Sequence, residues 1–204
     1  PKKNKPEIAV MNKKQQLRLE KYLDERPSVT SVGIAISMYM GLRIGEVCAL
    51  QWKEIDLEKR VLTVSKTIQR VQCRTGSKQT KLIITEPKSE SSKRTIPIPD
   101  CLLPLLRRFK DNGEVYVVSG RKKPVEPRTM QYRFAKILHN ADLPSFHYHS
   151  LRHLFATRCV ELGFDVKTLS EILGHSSVEV TLNRYIHSDM ERKRTCMSLL
   201  SKCA

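Results

Sequence analysis

Residues 29–46 carry the sequence VTSVGIAISMYMGLRIGE. The first twelve of these residues are mostly apolar or small, which predicts a buried helix over 29–40 that ends near Gly41. A second, shorter helix is predicted over 43–50, and it begins with Arg43 and includes Glu46. Charged side chains are mostly exposed in folded proteins. This stretch therefore predicts a mainly helical core with polar residues held at its edge.

Further helices are predicted on both sides of this stretch. Asn12 is suited to cap a helix that runs to about residue 26. After a central β region, the pattern predicts helices over 100–110, 126–140, 150–163, 165–173, 178–186 and 189–200. Gly163 and Gly174 are suited to end two of them, because glycine readily adopts the left-handed conformation found after helices.

The middle of the chain predicts a small antiparallel sheet. The run 61–68 alternates and is β-branched, which is typical of a strand, and 81–85 is its return strand. Residues 94–99 form a third strand, which the two prolines place at an edge. The predicted fold class is α+β and mainly helical, with a three-stranded antiparallel sheet and a β-hairpin insertion.

Composition limits the partners. The 204 residues include 37 Lys and Arg against 21 Asp and Glu, which gives a net charge of +16. This excess favours a polyanion, either nucleic acid or an anionic membrane surface. No apolar run is long enough to predict a membrane-spanning helix. The six cysteines show no C-x-x-C spacing, which favours reduced thiols in a cytosolic protein.

Five polar residues stand beside predicted apolar segments. Arg43 follows the buried helix, and His149 and Arg152 lie three residues apart on one helical face. His175 follows Gly174, and Tyr185 comes ten residues later. Two arginines can clamp the oxygens of one phosphate, histidines can move protons near neutral pH, and a tyrosine can attack phosphorus. The set therefore predicts phosphoryl transfer.

Each of these residues also has an ordinary explanation. Arg43 alone is typical of a helix end, and Tyr185 alone is typical of a core. His147, His149 and His153 together suggest a metal site, but no Cys or carboxylate completes a ligand set. Clustered carboxylates for Mg²⁺ are also scarce in this segment. We therefore predict neither a metal nor another cofactor.

At these residues the chain resembles the tyrosine recombinase, or phage integrase, family. Gly41-Leu-Arg-Ile-Gly-Glu resembles the first motif of the family and His149-Ser-Leu-Arg-His the second. Leu173-Gly-His-Ser-Ser followed by Thr181-Leu-Asn-Arg-Tyr-Ile-His resembles the third. The long hairpin at about 66–86 and the sequence PKSESSKRTIPI at 87–98 are most similar to integrases of conjugative transposons. The resemblance covers about residues 30–190.

The resemblance implies a role for each residue of the set. Tyr185 is expected to attack the scissile phosphate and form a 3′-phosphotyrosyl link, with His149 as its general base. Lys88 lies in the turn between strands and would protonate the leaving 5′ oxygen, although Lys93 is a rival. Glu46 matches an acidic position that steadies the site. The pentavalent state would be stabilised by Arg43, Arg152 and His175.

The resemblance also implies an organisation for the chain. Residues 1–11 are expected to be a linker or arm, 12–190 a catalytic domain, and 191–204 a C-terminal helix that packs on its own domain or docks on a neighbouring protomer. The amino-terminal DNA-binding domains of the family are expected to be absent. Exposed cations predicted to contact DNA are Lys66, Arg70, Arg74, Lys78, Lys81, Lys93, Arg94, Arg128, Arg133 and Lys136.

The expected function is site-specific DNA recombination that excises and integrates a mobile element without metal or ATP. The expected partners are double-stranded DNA at the element ends and target site, further copies of the chain in a dimer or tetramer, and an accessory excision factor. The expected place is the bacterial cytoplasm, on DNA and not on a membrane. A type IB topoisomerase and a catalytically silent DNA-binding regulator remain alternatives.

Overall fold

The computed structural model describes residues 11–72, 80–86, 92–111, 113–185 and the single positions Met190, Arg194, Met197 and Ser198, with only the backbone described for 183–185. The helices are α1 (Lys13–Glu25), α2 (Val29–Met40), α3 (Ile44–Ala49), α4 (Leu103–Phe109), α5 (Pro127–Asn140), α6 (His149–Glu161), α7 (Val166–Leu173) and α8 (Val178–Tyr185). The strands are β1 (Ile55–Asp56), β2 (Val61–Val64), β3 (Thr67–Gln72), β4 (Thr80–Thr85) and β5 (Arg94–Pro97).

The helix ends follow from local sequence. The Asn12 side chain accepts a hydrogen bond from the backbone N–H of Gln15, whose own side chain accepts from the backbone of Asn12. Gly41 ends α2 in the left-handed conformation, with φ of +69°. A Cβ on Gly41 would lie 2.5 Å from the ring of Phe155, so glycine is required there twice over. The predicted helices are confirmed to within two residues at each described end, except that α4 begins at Leu103, after a 3-10 turn over Asp100–Leu102.

The sheet differs from the prediction in its pairing. The predicted single strand 61–68 breaks at Ser65 and Lys66, where the Ser65 hydroxyl donates to the Glu54 carboxylate. Its first half, β2, lies between β1 and β5 in a three-stranded antiparallel sheet. Its second half, β3, pairs with β4 in a separate two-stranded hairpin. The third strand of the sheet is therefore β1, not residues 81–85. The predicted edge position of β5 is confirmed.

The core is built around α2, which has nine buried residues among its twelve. A smaller cluster of Ala156, Cys159, Val160, Leu169 and Leu173 joins α6 to α7. Met11, the last residue of the predicted arm, is 3% exposed and belongs to the main core. None of the described helices has the length and apolar character needed to cross a membrane. The packing of α2, α6 and α7 brings three predicted site segments together.

The predicted helix over 189–200 lies almost wholly outside the described residues. So do residues 1–10 of the predicted arm.

Candidate active site

Three arginines from different elements converge on the C-terminal end of α7. Carbonyls at a helix end lack partners within the helix and carry partial negative charge, so they attract cations. The carbonyls of the last two residues of α7 and of Gly174, which follows it, each accept a hydrogen bond from one guanidinium: Ile172 O from Arg94 Nε at 2.6 Å, Leu173 O from Arg152 Nη2 at 2.8 Å, and Gly174 O from Arg43 Nη2 at 3.0 Å. The predicted site therefore forms around the turn that carries His175.

Arg152 is fully buried, with 2% of its surface exposed. Its Nη1 donates to the carbonyl of Gly41 at 2.8 Å, while Nη2 holds Leu173 at the end of α7. One guanidinium therefore bridges the C-terminal ends of α2 and α7. Burying a charge is costly unless hydrogen bonds compensate it, and two helix ends of negative polarity do so here.

Arg43 and Glu46 form a salt bridge at the start of α3. The Glu46 carboxylate accepts from the backbone N–H of Arg43 at 2.8 Å and from Arg43 Nη1 at 2.8 Å. The carboxylate also lies in the first turn of the helix, where negative charge is favourable. The Arg43 side chain stays 38% exposed. It is therefore held in place but open to a ligand.

Glu46 holds a second arginine as well. Arg94 Nη1 and Nη2 donate to its two carboxylate oxygens at 3.1 and 2.9 Å, and the two side chains are only 7% and 4% exposed. Burial alone would raise the pKa of Glu46. The hydrogen bond and charge of Arg94, together with the charge of Arg43, outweigh burial and hold that pKa below its usual value. Glu46 is therefore ionised.

The position of Arg94 does not fit the DNA contact predicted for it. Its side chain is only 7% exposed and its guanidinium binds Glu46 and the Ile172 carbonyl, a role that sequence reasoning missed. A signal was present, because residues two apart on a strand point to the same face. Ile96 is 3% exposed, so Arg94 had to share its buried face.

The two predicted histidines, His149 and His175, lie at the start of α6 and directly after the residue that ends α7. His149 is exposed at the first turn of α6, and its ring stands edge-on to that of His153 with centroids 4.6 Å apart. His175 Nδ1 lies 2.7 Å from the hydroxyl of Thr181, which is fully buried in α8. This contact fixes the orientation of the His175 ring. Within the part of the chain that the structure describes, no group of His, Cys, Asp and Glu has the arrangement of a metal site.

Two predicted site residues, Tyr185 and Lys88, lie partly or wholly outside the described residues. Tyr185 is the last residue of α8, but its side chain lies outside the described residues. Lys88 also lies outside them. The rival Lys93 is exposed and, with Lys167 and His175, lines a hollow of about 350 Å³.

The predicted DNA contacts vary in exposure. Arg133 is half-buried and donates to the Val118 carbonyl at 3.3 Å. Arg70 is exposed but already binds Glu126 and Thr80, which ties the hairpin to α5. Lys66 is half-buried, and Arg74 and Lys78 lie outside the described residues. The other exposed cations are Lys81, Arg128 and Lys136.

The helical body with its small antiparallel sheets has the fold of tyrosine recombinase catalytic domains. The structure superposes on the Tn1549 transposon integrase in complex with transposon right end DNA with a TM-score of 0.77. The two are 25% identical, and the match covers 98% of this chain and 68% of that one. The XerA recombinase matches with a TM-score of 0.69 at 20% identity, covering 98% of this chain and 65% of that one.

Residues 9–192 match the phage integrase family, and the chain belongs to that family. A XerC-like tyrosine recombinase of Caldanaerobacter subterraneus subsp. tengcongensis is 33% identical over 180 residues, which are 79% of this chain and 46% of that protein. The ICEBs1 integrase of Bacillus subtilis is 28% identical over 165 residues, 74% of this chain and 43% of that protein. The chain thus spans about half the length of the curated relatives it matches. The resemblance found in the sequence motifs is confirmed.

Proposed function

We propose that this chain is the catalytic part of a site-specific DNA recombinase that excises and integrates a mobile element. The observation that carries the proposal is the convergence of Arg43 and Arg152 on the carbonyls of Gly174 and Leu173 at the C-terminal end of α7, directly before His175. Two guanidinium groups and an imidazole at one turn suit a phosphate that gains negative charge during reaction. The part of the chain between 9 and 192 that matches the family contains all of them.

In the proposed reaction, the Tyr185 oxygen attacks the scissile phosphorus. A Tyr–O–P bond forms, the bond from phosphorus to the 5′ oxygen breaks, and a 3′-phosphotyrosyl link results. His149, exposed at the start of α6, takes the tyrosine proton, and Lys88 gives a proton to the leaving 5′ oxygen. Arg43, Arg152 and His175 would stabilise the pentavalent state.

Rejoining reverses the same step. The 5′ hydroxyl of another strand attacks the phosphotyrosine, which frees Tyr185 and restores a phosphodiester. One ester replaces another in each direction, so the reaction needs no ATP. Glu46 is assigned the supporting role, because its carboxylate holds Arg43 by both backbone and side chain.

The proposed partners of the chain rest on what its relatives bind and on its net charge. The Tn1549 integrase is bound to transposon DNA, and a net charge of +16 suits the same kind of ligand. We assign the chain to double-stranded DNA at element ends and target, as a dimer to tetramer with an accessory excision factor, in the bacterial cytoplasm. Residues 12–190 would form the catalytic domain, and 191–204 a C-terminal helix that either packs on its own domain or docks on a neighbouring protomer.

The test is covalent capture of DNA on a nicked suicide substrate carrying the recombination site. The unchanged protein is expected to form a protein–DNA adduct resistant to denaturant. Tyr185→Phe should form none while its Kd for DNA stays within about twofold, because only the nucleophilic oxygen is lost. Tyr132→Phe is the matched control, since Tyr132 is 77% exposed on α5. An adduct with Tyr185→Phe would refute the assignment.

Two further outcomes separate the alternatives. Adduct formation with supercoil relaxation but without recombination between two sites would indicate a type IB topoisomerase. DNA binding with no adduct from the unchanged protein would indicate a silent regulator.

A further inference from the structure

We infer that Arg94 is a positioning residue, which fixes Arg43 and the turn that carries His175 without contacting DNA. The inference rests on the proposed function, because the site that it concerns is the one proposed to cleave DNA. Arg94 was predicted to contact DNA from the surface; the inference assigns it the role of holding other site residues in position.

The contacts of Arg94 join three separate segments. Its Nη1 and Nη2 bind the Glu46 carboxylate on α3, and its Nε binds the Ile172 carbonyl on α7 at 2.6 Å. Nη1 also donates to the carbonyl of Ser92, at 3.1 Å, just before β5. The planar guanidinium of an arginine holds its N–H donors in several fixed directions. A lysine has a single ammonium group on a flexible chain and cannot bind these three segments in the same way. Arg94 therefore sets the distance between α3 and α7.

The first consequence concerns Arg43. Each Glu46 oxygen is shared by both arginines: Oε1 accepts from Arg43 Nη1 and Arg94 Nη1, and Oε2 from the Arg43 backbone and Arg94 Nη2. Two cations and one anion leave this trio with one net positive charge. Without Arg94, Glu46 would neutralise Arg43, and the attraction for a phosphate gaining negative charge would fall.

The second consequence concerns His175. The guanidinium of Arg94 lies against Gly174, where an added Cβ would come within 2.8 Å of Nη1. Gly174 has φ of +64°, and the carbonyl of Ile172, two residues earlier, accepts a hydrogen bond from Arg94 Nε. Arg94 therefore supports the turn at two points, one residue before the His175 ring.

A direct contact of Arg94 with DNA is a poor alternative. The side chain is 7% exposed, and Nε, Nη1 and Nη2 all donate to protein groups. A residue that acts through its neighbours should affect the rate of the chemical step more than the affinity for DNA.

The experiment measures single-turnover cleavage of the nicked substrate at saturating protein, with the Kd for DNA measured separately. Arg94→Lys and Arg94→Gln are expected to slow cleavage about 10- to 100-fold, since misplacement of stabilising groups costs rates of this order. Their Kd should stay within about threefold of the original value, because DNA is not touched. Arg60→Gln is the matched control, because Arg60 is exposed and paired with Asp100.

A second pair of variants isolates the charge argument. In Arg94→Gln, Glu46 is left facing Arg43 alone. Adding Glu46→Gln to Arg94→Gln removes that carboxylate and returns the net positive charge, so the double variant should cleave faster than Arg94→Gln. Simple loss of packing predicts the opposite order, because a second substitution in a damaged site would slow cleavage further.

Three outcomes would overturn the inference. The first is cleavage by Arg94→Lys at the original rate. The second is a rate loss matched by Leu106→Ala, a core variant away from the site with a comparable fall in Tm, which would indicate general destabilisation. The third is a large rise in Kd with a reduced salt dependence, which would indicate a DNA contact. If the unchanged protein forms no adduct, the proposed function itself fails, and that result is distinct from these.

Discussion

Glu46 shows how a buried carboxylate organises the site at the scale of single residues. It is 4% exposed, yet it accepts four hydrogen bonds from Arg43 and Arg94. Burial favours the neutral acid, while the arginines favour the anion and prevail, so its pKa is lowered. The ion pair is therefore present throughout the neutral range.

The lowered pKa of Glu46 predicts how stability varies with pH. A carboxyl whose pKa is lower in the folded state stabilises the protein above its unfolded pKa of about 4.5, and that contribution disappears as pH falls through the folded pKa. Glu46→Gln leaves the buried Arg94 and the partly exposed Arg43 without their anion and should cost about 3–5 kcal/mol at pH 7. Below pH 4.5 the difference in free energy of unfolding from the original protein should shrink.

Urea unfolding between pH 3 and pH 7 measures this difference. Glu25→Gln is the control, since Glu25 is about half exposed in its pair with Arg26, and its effect should be small at every pH. If the difference in free energy of unfolding between Glu46→Gln and the original protein is constant over this pH range, the stability does not depend on the ionisation of Glu46 and the prediction is wrong.

Most residues of the site could be predicted from motif spacing, but their partners could not. The intervals between Arg43, His149, Arg152 and His175 indicated a shared site, and the structure brings Arg43, Arg152 and His175 to the end of α7. The spacing of motifs does not show that carbonyls at the end of α7 bind these arginines. Every residue has a backbone carbonyl, so the sequence does not mark which carbonyls act as acceptors.

At the scale of elements, helices could be predicted more completely than strand pairing. Helix ends are marked locally, as Ser28 and Gly41 mark α2. Leu62, Val64 and Ile68 keep the same face over 61–68, and apart from Lys66 the alternation gives no sign that the chain changes partners at Ser65. Alternation reports which face of a strand is buried, not which strand lies beside it. Pairing is decided by contacts distant in sequence.

The hairpin of β3 and β4 rests directly on α3, and Gly45 makes this approach possible. A Cβ at Gly45 would lie 2.6 Å from the Ile68 carbonyl oxygen and 2.6 Å from the Thr67 hydroxyl. The carbonyl belongs to the backbone of β3 and is not free to turn away. The hairpin and the Arg43–Glu46 pair are therefore joined through one close contact.

Gly45→Ala should separate α3 from β3. We expect a loss of about 1–3 kcal/mol in stability, typical of overpacking, and a slower single-turnover cleavage because Arg43 and Glu46 move with the helix. Thermal unfolding and the adduct assay measure the two effects. Gly163→Ala is the control: its φ of +81° strains an alanine, but nothing lies within 4 Å. It should lose stability and keep its cleavage rate. Equal rate losses in both variants would refute the coupling.

At the scale of the whole molecule, the net charge is +16, but only some of the cations are free to contact a ligand. Some cations are committed to internal contacts, as Arg94 and Arg152 are. Others, such as Arg128 and Lys136 on α5, are exposed. Affinity for DNA depends on the cations that displace counterions from phosphates, and not on net charge alone.

This distinction predicts different salt dependences for variants of equal charge. Replacing both Arg128 and Lys136 with Gln should weaken DNA binding and lower the slope of log Kd against log salt by about two, if each binds one phosphate. Replacing Lys21 and Lys59 with Gln removes the same charge from exposed side chains that pair with Glu25 and Asp56. That control should change the slope by much less. Equal slopes for the two double variants would show that long-range charge, and not the surface of α5, governs binding.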